Sequence, residues 1–361
     1  MGRMPSTPTG HASSVDRAAE NRDWVDFAKG FAIILVVLYH CGLFLSSLDL
    51  AEGTARIRAL LAFYPMPVFF FVAGLTSQRM LTWSFKDLWR RRLLTLVYLY
   101  LLWSVIRVLF YLVVPHLRAT ESAPTDPLNV LLLPVWPTSS YWFVWALAIF
   151  TLLAWLLRGL PRWLQVTGAV LLAVAGTTPG LLDTNNVGWD RVAQDFVFFL
   201  VALFIPHQTY RFAARVRLWH AIVLTVAYVG LAAAFVLLHA TRIPGLILLE
   251  SAVAVLLGIA WSTLLVRLRW LGWVSSLGQR SFQIYLVHLF IVAVALWALT
   301  PLAGVHVLRF ANLAPYLLAA LVLVASVYLS KLLRPVHWLW VSPLRSRSKK
   351  SKPAKSVESR P

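Results

Sequence analysis

Charge is scarce in this chain, and acidic charge scarcer still: 13% of its residues are charged, 33 of them basic against 14 acidic. A soluble domain carries about 25% charged residues, so an ordinary water-exposed globule is excluded. Cysteine is nearly absent. With Cys41 alone, no intramolecular disulfide and no multi-cysteine metal site can form, and no metal is expected. Cys41 follows His40, but adjacent helix positions point about 100° apart, so the two do not make a nucleophilic pair and Cys41 reads as packing. No internal repeat stands out, which argues against a transporter of the inverted-repeat type. Residues 1–21 lack the basic start and small-residue cleavage site of a secretory signal, so the first helix is expected to be retained.

What the chain has is hydrophobic length. Apolar residues make up 60% of it, in repeated stretches long enough to span a bilayer, and several of its 17 tryptophans stand near the stretch ends, as in an interfacial aromatic belt. The fold class expected is all-α, a polytopic membrane protein of about ten transmembrane helices at 25–46, 59–77, 93–114, 141–157, 163–179, 192–206, 218–239, 244–266, 282–299 and 311–333. Lys and Arg then concentrate at alternate connections. Counting the tails, 26 of the 33 basic residues fall on one side, 6 on the other, and Arg107 lies within a helix. This asymmetry places both termini in the cytoplasm and accounts for the net charge of +19 without nucleic acid as a partner. The organisation expected is a polar N-terminal tail at 1–21, a membrane domain at 22–335 and a basic, disordered tail at 336–361 lying against anionic lipid. No second soluble domain is expected.

The first helix carries the main chemical signal. At 100° per residue, Arg22, Asp26, Lys29 and His40 fall at about 0°, 40°, −20° and 0° around its axis, a polar stripe on an apolar rod. Ionisable groups inside a membrane usually face a protein interior or a water-filled cavity, which makes the stripe a candidate site. A helix-end charge cluster followed by a satisfied core histidine would give the same pattern.

The topology sorts other polar residues by depth. His40 falls in the outer half of the membrane, and Arg107, Trp142, Asp195 and Glu250, each on a different helix, share roughly its level. Arg107 can instead snorkel or pair structurally with Glu250 or Asp195, and Asp195 is near enough to the interface to be solvated. Glu250 is a lone carboxylate in an apolar run, costly to ionise without a partner such as His40 or Arg107. A second group gathers at the cytoplasmic side: Lys29, Arg79, Arg90, Arg91, Arg92, Gln279, Arg280 and Ser281, with Tyr285 and His288 deeper. Guanidinium and ammonium groups suit phosphate oxygens, although the basic bias of cytoplasmic loops gives the same arginines. One arrangement uses both groups: a phosphorylated donor held from the cytoplasm reaches a histidine that takes a proton from an attacking hydroxyl.

These residues resemble the acyltransferase-3 membrane family. Its first helix starts with an arginine, then an aspartate and a basic residue, with a histidine after ten more, matching Arg22, Asp26, Lys29 and His40; Lys29-Gly30 is similar to the fucose 4-O-acetylase-like branch. Pro67-Val-Phe-Phe-Phe-Val-Ala-Gly74 resembles the family's aromatic second-helix segment, with Ala73 where Ser is usual. Tyr141-Trp142-Phe143 resembles its Trp-Phe motif, and Leu277 to His288 its late Gly/Ser/Tyr/His segment. The family's paired arginines followed by proline are only partly present in Arg90-Arg91-Arg92-Leu-Leu-Thr-Leu-Val-Tyr98.

The resemblance implies O-acylation, usually acetylation, of a sugar hydroxyl by acetyl-CoA or another acyl-CoA. It would make His40 the catalytic histidine and place Lys29 with the donor. Position and chemistry add the expectation that Glu250 and Arg107 assist His40, that Arg22, Asp26, Arg91, Arg92, Ser281, Tyr285 and His288 join Lys29 at the donor, and that Trp142 and Asp195 meet the acceptor. The partners implied are a carbohydrate or glycolipid acceptor, the bilayer of a bacterial cytoplasmic membrane, and proteins assembling cell-envelope glycans. The rival reading is a transporter or flippase of a lipid-linked sugar, whose path would also be lined with polar residues.

Overall fold

A computed structural model describes residues 14–47, 63–114, 125–137, 140–237, 243–302 and 313–344, and among these the regular structure is helical. The helices are α1 Ser14–Ser46, α2 Pro65–Leu75, α3 Phe85–Tyr111, α4 Pro127–Leu132, α5 Trp142–Leu156, α6 Arg162–Thr177, α7 Val187–Phe204, α8 Pro206–Arg215, α9 Leu218–Leu237, α10 Leu246–Leu265, α11 Gly272–Gln279, α12 Ser281–Leu299 and α13 Ala314–Leu332. Among the described residues a helix falls within each of the ten expected ranges, but these helices are not equivalent. Among the described residues seven helices are long and apolar enough to cross a membrane, or eight if the bent pair α7–α8 counts as one span. α2, at 11 residues, is short for a crossing, and α6 runs for 16.

Local chemistry sets the ends. Asn186 caps α7, its side-chain oxygen accepting from the backbone N–H of Gly188 and Trp189 at 3.0 and 3.2 Å. Pro206 has no backbone N–H to continue α7, so the chain turns by 82° into α8. Asp126 and Pro127 open α4 in the same capped manner. In α3 the run Trp89–Leu93 winds as a π-turn, and its three arginines splay apart. Arg91 reaches outward to Asp87 at 3.2 Å, whereas Arg92 turns inward and donates from Nε to Thr151 on α5 at 3.1 Å.

α1 is the hub of the bundle, packing against α2, α10, α11, α12 and α13. Its contact with α11, a short helix absent from the expected set, is the closest. A Cβ on Gly30 would lie 1.9 Å from the Val274 carbonyl oxygen, and one on Gly278 would lie 1.7 Å from the Asp26 carbonyl oxygen. Only glycine at both positions lets the two backbones meet, the small-residue device of helix pairs in membranes. This contact fixes the register of α1 against the α11–α12 unit. After α13 the chain folds back: the indole of Trp103 donates to the Leu339 carbonyl at 2.9 Å and the Tyr98 hydroxyl to the Trp338 carbonyl at 3.0 Å, tying residues 333–340 to α3.

Candidate active site

His40 and His288 meet across the α1–α12 interface. Each follows by ten residues one of the glycines at the α1–α11 contact, so the register set there brings the two rings together. His288 Nε2 lies 3.4 Å from His40 Nδ1, with ring centroids 5.1 Å apart and planes inclined at 60°. His288 is fully buried and His40 half-buried.

The surrounding carbonyls determine the protons. His288 Nδ1 lies 2.8 Å from the Tyr285 carbonyl oxygen and 3.1 Å from that of Ile284. Carbonyls only accept, so Nδ1 carries the hydrogen and Nε2 is an acceptor. His40 Nδ1 lies 2.9 Å from the Val36 carbonyl oxygen and also faces His288 Nε2. It too is placed to carry hydrogen, toward the Val36 carbonyl. Backbone carbonyls one turn back on α1 and α12 thus hold the Nδ1 side of each ring, and the two histidines face one another.

A tyrosine pair fixes the far wall. Tyr285 donates to the Ser140 carbonyl at 2.7 Å and accepts from the Phe143 backbone, while Tyr141 donates to the Leu286 carbonyl at 2.9 Å. These reciprocal bonds clip the start of α5 to α12. Tyr141 also lies within the electrostatic reach of Arg107, whose guanidinium stands 5.3 Å over the Tyr111 ring. Tyr141, Tyr285, His288 and His40 form a chain of ring neighbours drawn from the start of α5, α12 and α1.

The remaining expected site residues sit elsewhere. Both carboxylate oxygens of Glu250 are buried without a hydrogen-bond partner, and its electrostatic neighbour is Tyr228 on α9. Glu250, expected to orient His40, makes no hydrogen bond to it among the described residues, and the nitrogen facing His40 Nδ1 is His288 Nε2. Asp195 lies 4.0 Å from Arg191 on its own helix and shares a cavity of about 190 Å³ with Gln194, Thr177 and Ser251, a lining that includes neither histidine. Trp142 packs on Phe70 with centroids 6.3 Å apart. Lys29 is paired with Asp26 at 2.7 Å, beside the α1–α11 contact. Arg22 belongs to α1, but its side chain lies outside the described residues. Ser281 is buried at the first position of α12, two turns before His288. The sequence reading missed Tyr141 as the anchor of the site and put His288 with the donor group; the shared ten-residue offset from Gly30 and from Gly278 was the available signal. Among the described residues no three metal-ligating side chains gather.

A helical membrane protein with an oriented histidine pair inside its bundle fits acyl or proton transfer within the membrane. Comparison with known families settles the class: the model described as "Acyltransferase domain" matches residues 22–333, and the chain belongs to the acyltransferase-3 family. It is thereby a membrane acyltransferase. No curated protein and no solved structure gives a significant match.

Proposed function

We propose that the protein transfers an acyl group, acetyl in the first instance, from acyl-CoA to a hydroxyl of a carbohydrate or glycoconjugate, in the manner of the fucose 4-O-acetylase-like branch. The observation that carries this reading is the hydrogen-bond arrangement that sets His40 against His288 with its Nδ1 side held by the Val36 carbonyl. In the reaction the acceptor oxygen attacks the thioester carbonyl while His40 takes its proton. The carbon–sulfur bond then breaks, the proton passes to the departing sulfur, and an O-ester and free CoA thiol result. His288 Nε2 accepts from the imidazolium that forms transiently on His40. Arg107, which makes no ion pair among the described residues, is assigned to the oxyanion, where a preorganised donor is worth about 3 kcal/mol.

The basic asymmetry of the loops supports both termini on the cytoplasmic side of a bacterial cytoplasmic membrane and entry of the donor from that side. The acceptor then comes from the opposite side or from a glycolipid in the bilayer, and Asp195 and Trp142 are assigned to it. Membranes containing the wild-type protein or His40→Ala, supplied with acetyl-labelled CoA and cell glycans, test the reading. Label in a base-labile ester of a glycan, dependent on His40, is the expected result. Movement of a glycolipid across the membrane without consumption of acyl-CoA, in both proteins alike, would favour the flippase instead.

A further inference from the structure

Opposite the end of α12 that leads to the histidines, a cavity of about 610 Å³ opens between the start of α12, the end of α13 and the folded-back chain beyond it. Arg280, Lys331, Arg334 and His337 line it together with Gln283 and Trp340. None of the three permanent cations has an acidic partner among the described residues; Lys331 lies 5.5 Å from the Tyr328 ring. Arg280 and Gln283 stand at the N-terminus of α12, where unpaired backbone N–H groups add positive potential. Three cations, a histidine and a helix N-terminus suit an anion.

Hydrogen bonding and ring packing hold the wall. The Trp340 indole donates to the Leu333 carbonyl at 3.0 Å and its ring lies 5.7 Å from Trp103. Trp103 is in turn 6.3 Å from Tyr141, the residue that anchors the histidine site. From Arg280 to His288 is eight residues of α12, about 12 Å along the axis. Arg334, His337 and Trp340 all lie past residue 333, where the family match ends.

We propose that this cleft binds the phosphates of a phosphate ester, with Arg280, Lys331 and Arg334 as its ligands and the folded-back segment as its wall. The transferase reading supplies one such compound, the nucleotide end of acyl-CoA, whose extended arm would run past Trp103 and Tyr141 to His40; in that form the inference rests on that reading. An anionic lipid headgroup offers the same chemistry from the bilayer.

The test uses the full chain in nanodiscs of phosphatidylcholine alone, titrated with CoA, and in parallel with nanodiscs containing phosphatidylglycerol, whose bound lipid is counted by native mass spectrometry. The Lys331→Gln/Arg334→Gln double variant should bind CoA at least about tenfold more weakly, and Arg280→Gln should weaken it in the same direction. Arg334→Lys should recover part of the loss. Unfolding midpoints near wild type exclude misfolding. Loss confined to phosphatidylglycerol would assign the cleft to lipid headgroups, and unchanged binding of both ligands would overturn it. His40→Ala separates the two claims, because it should retain CoA affinity while transfer is lost. If wild type transfers no acyl group yet binds CoA through these charges, the cleft stands and the transferase reading falls.

Discussion

Replacing His288 by leucine removes one hydrogen-bond acceptor from the site and conserves most of the buried volume. In the resting protein little should change, because His40 Nδ1 keeps the Val36 carbonyl at 2.9 Å. The cost appears when His40 takes the proton. Its Nδ1–H then belongs to a cation, and a hydrogen bond to a charged group is worth about 1.5–3 kcal/mol, or roughly 10–150-fold in rate. The 3.4 Å separation from His288 Nε2 is long, which puts the expected loss toward the lower end of that range. Loss of the base itself in His40→Ala should be larger, about 10²–10⁴-fold. The assay is steady-state transfer from acetyl-CoA with kcat and donor KM resolved: His288→Leu should lower kcat and leave KM nearly unchanged. His288→Gln, whose amide oxygen can accept from His40 Nδ1, should recover part of the rate. A folded His288→Leu protein with wild-type kcat, or a glutamine variant no better than leucine, would refute the positioning role.

Other consequences follow from the packing. Gly278→Ala and Gly30→Ala push a methyl into backbone oxygens of the facing helix and should destabilise the bundle by about 1–3 kcal/mol, whereas Gly168→Ala, with open space around it, should be neutral or stabilising; denaturant unfolding in detergent distinguishes them. Arg92→Ala removes the Arg92–Thr151 brace between α3 and α5 and should cost more than Arg91→Ala, whose exposed pair with Asp87 contributes about 0–1 kcal/mol; equal unfolding midpoints would contradict the inward assignment of Arg92. Glu250→Gln should keep kcat within about threefold of wild type, since neither carboxylate oxygen bonds to the histidines, and a loss as large as that of His40→Ala would restore Glu250 to the catalytic group.

The polar stripe of α1 was legible because charge is so rare in this sequence that Asp26, Lys29 and His40 on one face stand out. Helix existence was legible for the same reason, from uninterrupted apolar length. Crossing length was not: Pro65 at the start of α2 and Pro206 at the end of α7 act on backbone direction, which composition does not weigh. The partner of His40 was hidden by depth counting. His288 is only the eighth residue of α12, but α11 precedes that helix and Gly278 sets its register against α1, which a count from the start of the apolar run does not reveal. Glu250 shows the converse. A lone carboxylate at the right depth reads as a partner for His40, yet depth does not specify which side of α10 faces α1, and neither carboxylate oxygen has a hydrogen-bond partner among the described residues.

The most direct test of the mechanism is the turnover number for ester formation from acetyl-CoA by purified, folded His40→Ala beside wild type, with CoA affinity measured on the same samples. A fall of at least about a hundredfold in turnover with unchanged CoA affinity is expected of a general base. Wild-type turnover in His40→Ala would contradict it and move the chemistry away from the histidine pair.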